Sequence, residues 1–123
     1  MKVIYVSHPY NGLLSNSIET EKLTEKLQKK FPGAVFLSPI HAIKEDYVTT
    51  DYVLGLSHCI ALLKRCDGAI FCGDWKNSKG CMAEYFTAKY MKKWIFLESD
   101  DYEKEMSDFV EGGDYPPEDD WDD

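Results

Sequence analysis

No run in this 123-residue chain approaches the roughly 18 consecutive apolar residues that a membrane-spanning helix needs. The opening stretch MKVIYVSHPY is too short in its apolar part for a signal peptide and lacks a small-residue cleavage site. The four cysteines, Cys59, Cys66, Cys72 and Cys81, form no CxxC pair and have no ligand-like spacing to other donors. That argues against a zinc site and against a disulfide framework, and reduced thiols suit a cytoplasmic location. Basic residues form no stripe, so neither nucleic acid nor a membrane is an expected partner. No cofactor and no metal are expected.

What is present is the balance of an ordinary globule, 44% hydrophobic and 29% charged, with length for one domain and one core. The net charge of −8 is unevenly spread. From Glu98 onward 13 acidic residues face the single Lys104, a net −12, which leaves the preceding 97 residues at +4. An α/β body over residues 1–97 is therefore expected to carry an acidic, partly disordered C-terminal extension over residues 98–123.

The body alternates strand and helix signals. Lys2 to Ser7 (KVIYVS) is β-branched and apolar and runs into Pro9, Asn11 and Gly12, which predicts a buried first strand followed by a loop. Asn16 with Glu19 reads as a capping box opening a helix that Pro32-Gly33 ends. Ala34–Leu37, Ala69–Cys72 and Trp94–Leu97 read as three further strands with no wet face. Between them, Val53, Leu56, Ile60 and Leu63 mark a helix over Asp51–Arg65, and another follows the polar loop Gly73–Gly80 to about Met91. A short helix near Tyr102–Val110 and a loose segment from Gly112 complete the chain. The order β-α-β-α-β-α-β implies a flavodoxin-like, Rossmann-like doubly wound parallel sheet of four to five strands with helices on both faces. Ligands of such sheets collect beyond the strands' carboxyl ends, where strand order reverses. With the first and third strands as neighbours, the loops Ser7–Ser15 and Gly73–Gly80 meet there.

The segment Gly73–Glu84 leaves a strand and enters a helix, with Ser78 as a candidate N-cap. Gly80 and Glu84 are four apart, one turn from each other on one face. A glycine there admits a ligand close to the helix. A carboxylate one turn deeper suits attack on an anomeric carbon, and the plainer alternative is a surface ion pair with Lys79 or Lys92. Asp74 and Trp75 offer a polar group and an aromatic face for a base, or else a packed loop anchor. Asp67 suits fixing the turn into the third strand. His8 is a candidate proton shuttle and His41 a candidate cap. Adjacent residues on a helix point about 100° apart, so His58 and Cys59 make a surface residue and a buried filler rather than a catalytic pair.

Three stretches resemble the nucleoside 2-deoxyribosyltransferase superfamily, which includes the 2′-deoxynucleoside 5′-phosphate N-glycosidases, and most closely its short phage and bacterial members. They are Ile4-Tyr5, Arg65-Cys66-Asp67-Gly68-Ala69-Ile70, and Ser78-Lys79-Gly80 with Glu84, within a similarity over about residues 2–97. The resemblance implies that Glu84 attacks C1′ and expels the base, that Tyr5 positions it, and that water or a second base then takes the sugar. It further implies substrate contacts from Ser7, His8, Pro9, Tyr10, Asn11, Gly12, Asp74, Trp75, Ser78, Lys79 and Gly80. A nucleoside or nucleotide would be the small-molecule partner. A homo-oligomer would complete the pocket, an expectation that Tyr47, Tyr52 and Trp75 support as candidate exposed aromatics. The chain departs from the transferases at Cys59, which stands where they carry an aspartate acting on the leaving base. The alternative function is therefore a non-catalytic nucleotide-binding or sequestering protein with the same pocket.

Overall fold

The computed structural model describes residues 1–9, 14–39 and 52–112. Their elements follow in the order β1 (Lys2–Ser7), α1 (Leu14–Lys30), β2 (Ala34–Leu37), α2 (Tyr52–Lys64), β3 (Gly68–Phe71), a 3₁₀ turn (Trp75–Asn77), α3 (Lys79–Tyr90), β4 (Trp94–Leu97) and α4 (Glu103–Glu111). The four strands form one all-parallel sheet ordered β2-β1-β3-β4, with Tyr5 paired to both Leu37 and Ala69. Apolar β-branched residues at successive positions suit strands covered on both faces, and β1 from Ile4 to Ser7 and all of β3 are buried.

Strand alternation divides the core in two. Ile4, Val6, Ile70 and Phe96 pack against Leu27 of α1, Phe31 just beyond its end, and Met106 and Phe109 of α4. Tyr5, Ala69 and Phe71 face the other way, onto Cys59 and Leu63 of α2 and Cys81 and Ala88 of α3. The doubly wound α/β architecture is thus present, with α4 part of the first core although it lies in the acidic stretch beyond Leu97. Its four acidic residues stay on the exposed or part-exposed side while Met106 and Phe109 are buried. Gly68 lets α4 come close, since a Cβ there would lie 3.2 Å from the Phe109 ring.

Several polar side chains close the strand ends and edges. Gln28 of α1 holds β2, its Nε2 donating to the Ala34 carbonyl at 2.6 Å and its Oε1 accepting from the Phe36 N–H at 3.2 Å. Asp67 exchanges two hydrogen bonds of 2.8 Å with Val3, so its task is to lock the entry of β3 against β1. Lys93 Nζ donates to the carbonyls of Lys64 and Cys66 and satisfies the end of α2.

Four sequence expectations need correction. Helix α1 begins at Leu14, so Asn16 lies inside it and makes no capping box; its carbonyl accepts from the Thr20 hydroxyl instead. Strand β3 runs one residue earlier than expected, because pairing with Ile4 recruits Gly68. On α2 the buried stripe is Gly55, Cys59 and Leu63, while Leu56 and Ile60 are only half-buried. The outer strands are not fully covered, and Val35 on β2 is 41% exposed. Tyr10, Asn11, Gly12, His41, Tyr47 and the tail from residue 113 lie outside the described residues, as do the side chains of Tyr52 and Val53. Among the described residues no helix is long and apolar enough to cross a membrane.

Candidate functional site

Strand order reverses between β1 and β3, whose chain directions agree, so their carboxyl ends open a crevice at Ser7 and Phe71. From β3 the chain turns through Gly73, which takes a left-handed φ of +60°. The Glu98 carboxylate accepts the Gly73 N–H at 2.9 Å and fixes the turn. The 3₁₀ turn follows, and Ser78 then caps α3, its Oγ accepting from the Cys81 N–H at 3.2 Å.

Tyr5 and Ser7 are two apart on β1 and so face the same side, toward α3. Both hydroxyls reach the carboxylate of Glu84: Tyr5 Oη donates to Oε2, and Ser7 Oγ donates to Oε1 at 2.9 Å. Glu84 is 3% exposed. Burial pushes its carboxyl up from the usual 4.5 to about 7, against the pull of the Tyr5 and Ser7 hydrogen bonds, which favour the anion. Near neutrality this group is therefore divided between acid and carboxylate, the condition of a group that can gain or lose a proton or attack as an anion.

A cavity of about 420 Å³ lies beside this constellation, against His8, Pro9, Asn16 and Glu19 on one side and Gly73, Asp74, Asn77 and Ser78 on the other. His8 is 8% exposed. Its Nδ1 lies 2.8 Å from the Pro9 carbonyl, and its Nε2 is 3.6 Å from Glu19 Oε1, with no hydrogen-bond partner among the described residues. A slightly larger groove of about 470 Å³ between α1 and β2 is lined by Thr24, Gln28, Phe36 and Leu37 together with Glu21 and Glu25. It is remote from Glu84, and its best-placed polar group, Gln28, is already engaged with β2.

The structure thus joins Tyr5, Ser7 and Glu84 directly, and places His8, Pro9, Asp74 and Ser78 on one neighbouring cavity. Gly80 is buried in the first turn of α3, and Lys79 is exposed beside it. Trp75 is the packed anchor rather than a stacking face. Its ring sits 5.3 Å from Phe71 and 4.8 Å from Tyr85, with the Lys76 ammonium 5.7 Å from its centroid. Ser7 was expected to touch substrate and instead holds Glu84, which the two-residue spacing from Tyr5 could have revealed. Glu19, read as half of a capping box, turns out to face His8 on the same wall of the cavity.

The remaining nucleophile candidates are quiet. Burial raises the Cys66, Cys72 and Cys81 thiols, for Cys81 in spite of hydrogen bonds with Ser7 and Ser78. Cys59 is 0% exposed in the core, and His58 beside it is on the exposed side of α2. Among the described residues no group of three or more His, Cys, Asp or Glu side chains could hold a metal ion.

Residues 2–97 match the family described as Domain of unknown function (DUF4406), and the chain belongs to that family. The match opens with β1 and closes with β4, so it takes in the whole sheet together with Tyr5, Ser7, Glu84 and the cavity residues, while Glu98 and α4 lie beyond it. No curated protein and no solved structure matches the chain.

Proposed function

We propose that this DUF4406 protein cleaves or transfers the N-glycosidic bond of a nucleoside or nucleotide, with Glu84 as the nucleophile. The observation that carries this reading is a single buried carboxylate, held by the Tyr5 and Ser7 hydroxyls at the crevice between β1 and β3. A carboxylate oxygen forms a bond to C1′ as the C1′–N bond breaks. The bonding pair stays on the base nitrogen, which takes up a proton. Water or a second base then attacks C1′ of the glycosyl ester and returns Glu84 to its carboxylate. Tyr5 and Ser7 orient the attacking oxygens and favour the anion over the acid. Burial keeps the carboxylate poorly solvated and so more ready to attack.

A specific observation favours a second reading, a nucleotide-binding or sequestering protein. Cys59 occupies the position where the resembling transferases carry an aspartate acting on the leaving base, and it is fully buried in the α2–sheet core. A thiol is a weak donor and is a poor substitute for that group. Under either reading the partner is a small molecule in a cytoplasmic, homo-oligomeric protein, and four free, buried cysteines suit a reducing compartment.

The test is base release, followed by chromatography across nucleosides and their monophosphates, with and without a second base as acceptor. Glu84→Ala and Glu84→Gln should each lower turnover by at least about a hundredfold while ligand affinity changes little. Activity surviving both substitutions removes Glu84 from the mechanism. Tight binding with no base release from any compound selects the second reading.

A further inference from the structure

The cavity at the carboxyl end of the sheet, lined by His8 and Ser78, has a chemical preference that can be read from one buried nitrogen. A carbonyl oxygen can only accept, so the 2.8 Å contact with Pro9 puts the proton of the neutral His8 ring on Nδ1. Nε2 then presents a lone pair. It is buried and has no hydrogen-bond partner among the described residues. The space next to it exists because residue 73 is glycine: a Cβ there would lie 2.9 Å from Nε2. A buried acceptor without a partner is costly, and a ligand that supplies the donor recovers the loss.

The neighbours make the same demand. Glu19 Oε1 stands 3.6 Å from Nε2. The Asp74 carboxylate lies on the same cavity, with Oδ1 taken by the Asn77 amide at 2.8 Å. A lone pair and two carboxylates invite N–H donors. A phosphate would bring only acceptors and a negative charge, and the helix N-terminus at Ser78 would have to outweigh two acids to hold it. The cavity also has a fixed relation to the nucleophile. His8 follows Ser7, which donates to Glu84, and Ser78 caps the helix that carries Glu84.

Resting on the glycosidic reading above, we propose that this cavity is the subsite for the leaving or accepting base and that it selects bases with an exocyclic amino group, of the adenine or cytosine type. One amino hydrogen goes to His8 Nε2 and the other to Glu19. A keto base brings one ring N–H beside an oxygen, so it can pair only one of the two acceptors and turns its oxygen toward the other, the arrangement that discriminates between otherwise similar ligands.

The experiment follows the His8 ring nitrogens by NMR in the full chain as adenine, cytosine, hypoxanthine, uracil or inorganic phosphate is added. His8→Gln identifies these signals against those of His41 and His58. Adenine and cytosine should move Nε2 saturably, whereas hypoxanthine, uracil and phosphate should not. Glu19→Ala, a substitution at an exposed helical position, should weaken adenine binding by at least about tenfold. No response to either amino base, an equal response to the keto bases, or a response to phosphate alone overturns the proposal. The two readings fail separately. A chain that binds adenine at His8 yet releases no base from any nucleoside keeps the subsite and loses the reaction. Turnover of nucleosides without any change at His8 keeps the reaction and overturns the subsite.

Discussion

Replacing Glu84 by Gln should make the protein more stable at pH 8 and leave it nearly unchanged at pH 4. The folded chain holds the Glu84 carboxyl at about 7, against its ordinary 4.5, chiefly through burial. The folded state therefore binds this proton more tightly than the unfolded state does. Stability linked to it is fully present below about 4.5 and is lost as the pH rises through about 7. At roughly 1.4 kcal/mol per pKa unit the loss approaches about 3 kcal/mol once the carboxylate is fully ionised. Glu84 is 3% exposed, so solvent offers little screening to reduce that figure. Glutamine has nearly the shape of the protonated acid and can serve both the Tyr5 and Ser7 hydroxyls, which are free to rotate. Urea unfolding of both chains at pH 4, 6, 7 and 8 checks this, because subtracting the two curves cancels every other titrating group. The gap should open with pH and level off above about pH 8, approaching about 3 kcal/mol in favour of the variant. A gap independent of pH, or a variant less stable at pH 8, would refute the reasoning that Glu84 is held in a site costly to its charge.

Two further outcomes bear on the site and on the chain's limits. Tyr5→Phe removes one of the two hydrogen bonds that pull the Glu84 carboxyl down, so the acid limb of the pH–rate profile should move above about 7. An unmoved limb would mean that the Tyr5 hydroxyl does not tune the carboxylate. Phe109→Ala on α4 should cost about 3–5 kcal/mol in urea unfolding, the range for a fully buried aromatic. A cost below about 1 kcal/mol would show that α4 is a detachable appendage.

Much of the fold was legible because its signals are local. Lys2–Ser7, Ala34–Leu37 and Trp94–Leu97 are short apolar runs between turn residues, and each is a strand with the expected bounds. The misreadings came where tertiary partners outweighed local pattern. Asn16 and Glu19 have capping-box spacing, yet α1 starts at Leu14, and Glu19 faces His8 instead. The short helix expected near Tyr102–Val110 is present as α4, but charge counting had set the stretch from Glu98 apart from the body, whereas Met106, Phe109 and the part-buried Val110 give α4 an apolar face, and Gly33 and Gly68 leave room for it. Net charge reports on the exposed face of an amphipathic helix and is silent about the other.

The site shows a sharper division. Glu84 was visible from its distance to Gly80 and Ser78, because one strand–loop–helix passage carries all three. Its partners come from a strand about eighty residues earlier, and only the pairing of β1 beside β3 brings them together. Within β1 the two-residue spacing is enough to separate the roles. Tyr5 and Ser7 turn toward α3 and hold the carboxylate, while His8, one residue on, turns toward α1 and Glu19. The end of β1 and the residue just after it thus supply hydroxyl donors to one side of the crevice and a ring nitrogen to the other. A nucleoside laid across the end of β1 would meet both at once, its sugar toward Glu84 and its base toward His8. On the proposed reaction and subsite, the same strand end would serve both bond cleavage and the choice of base.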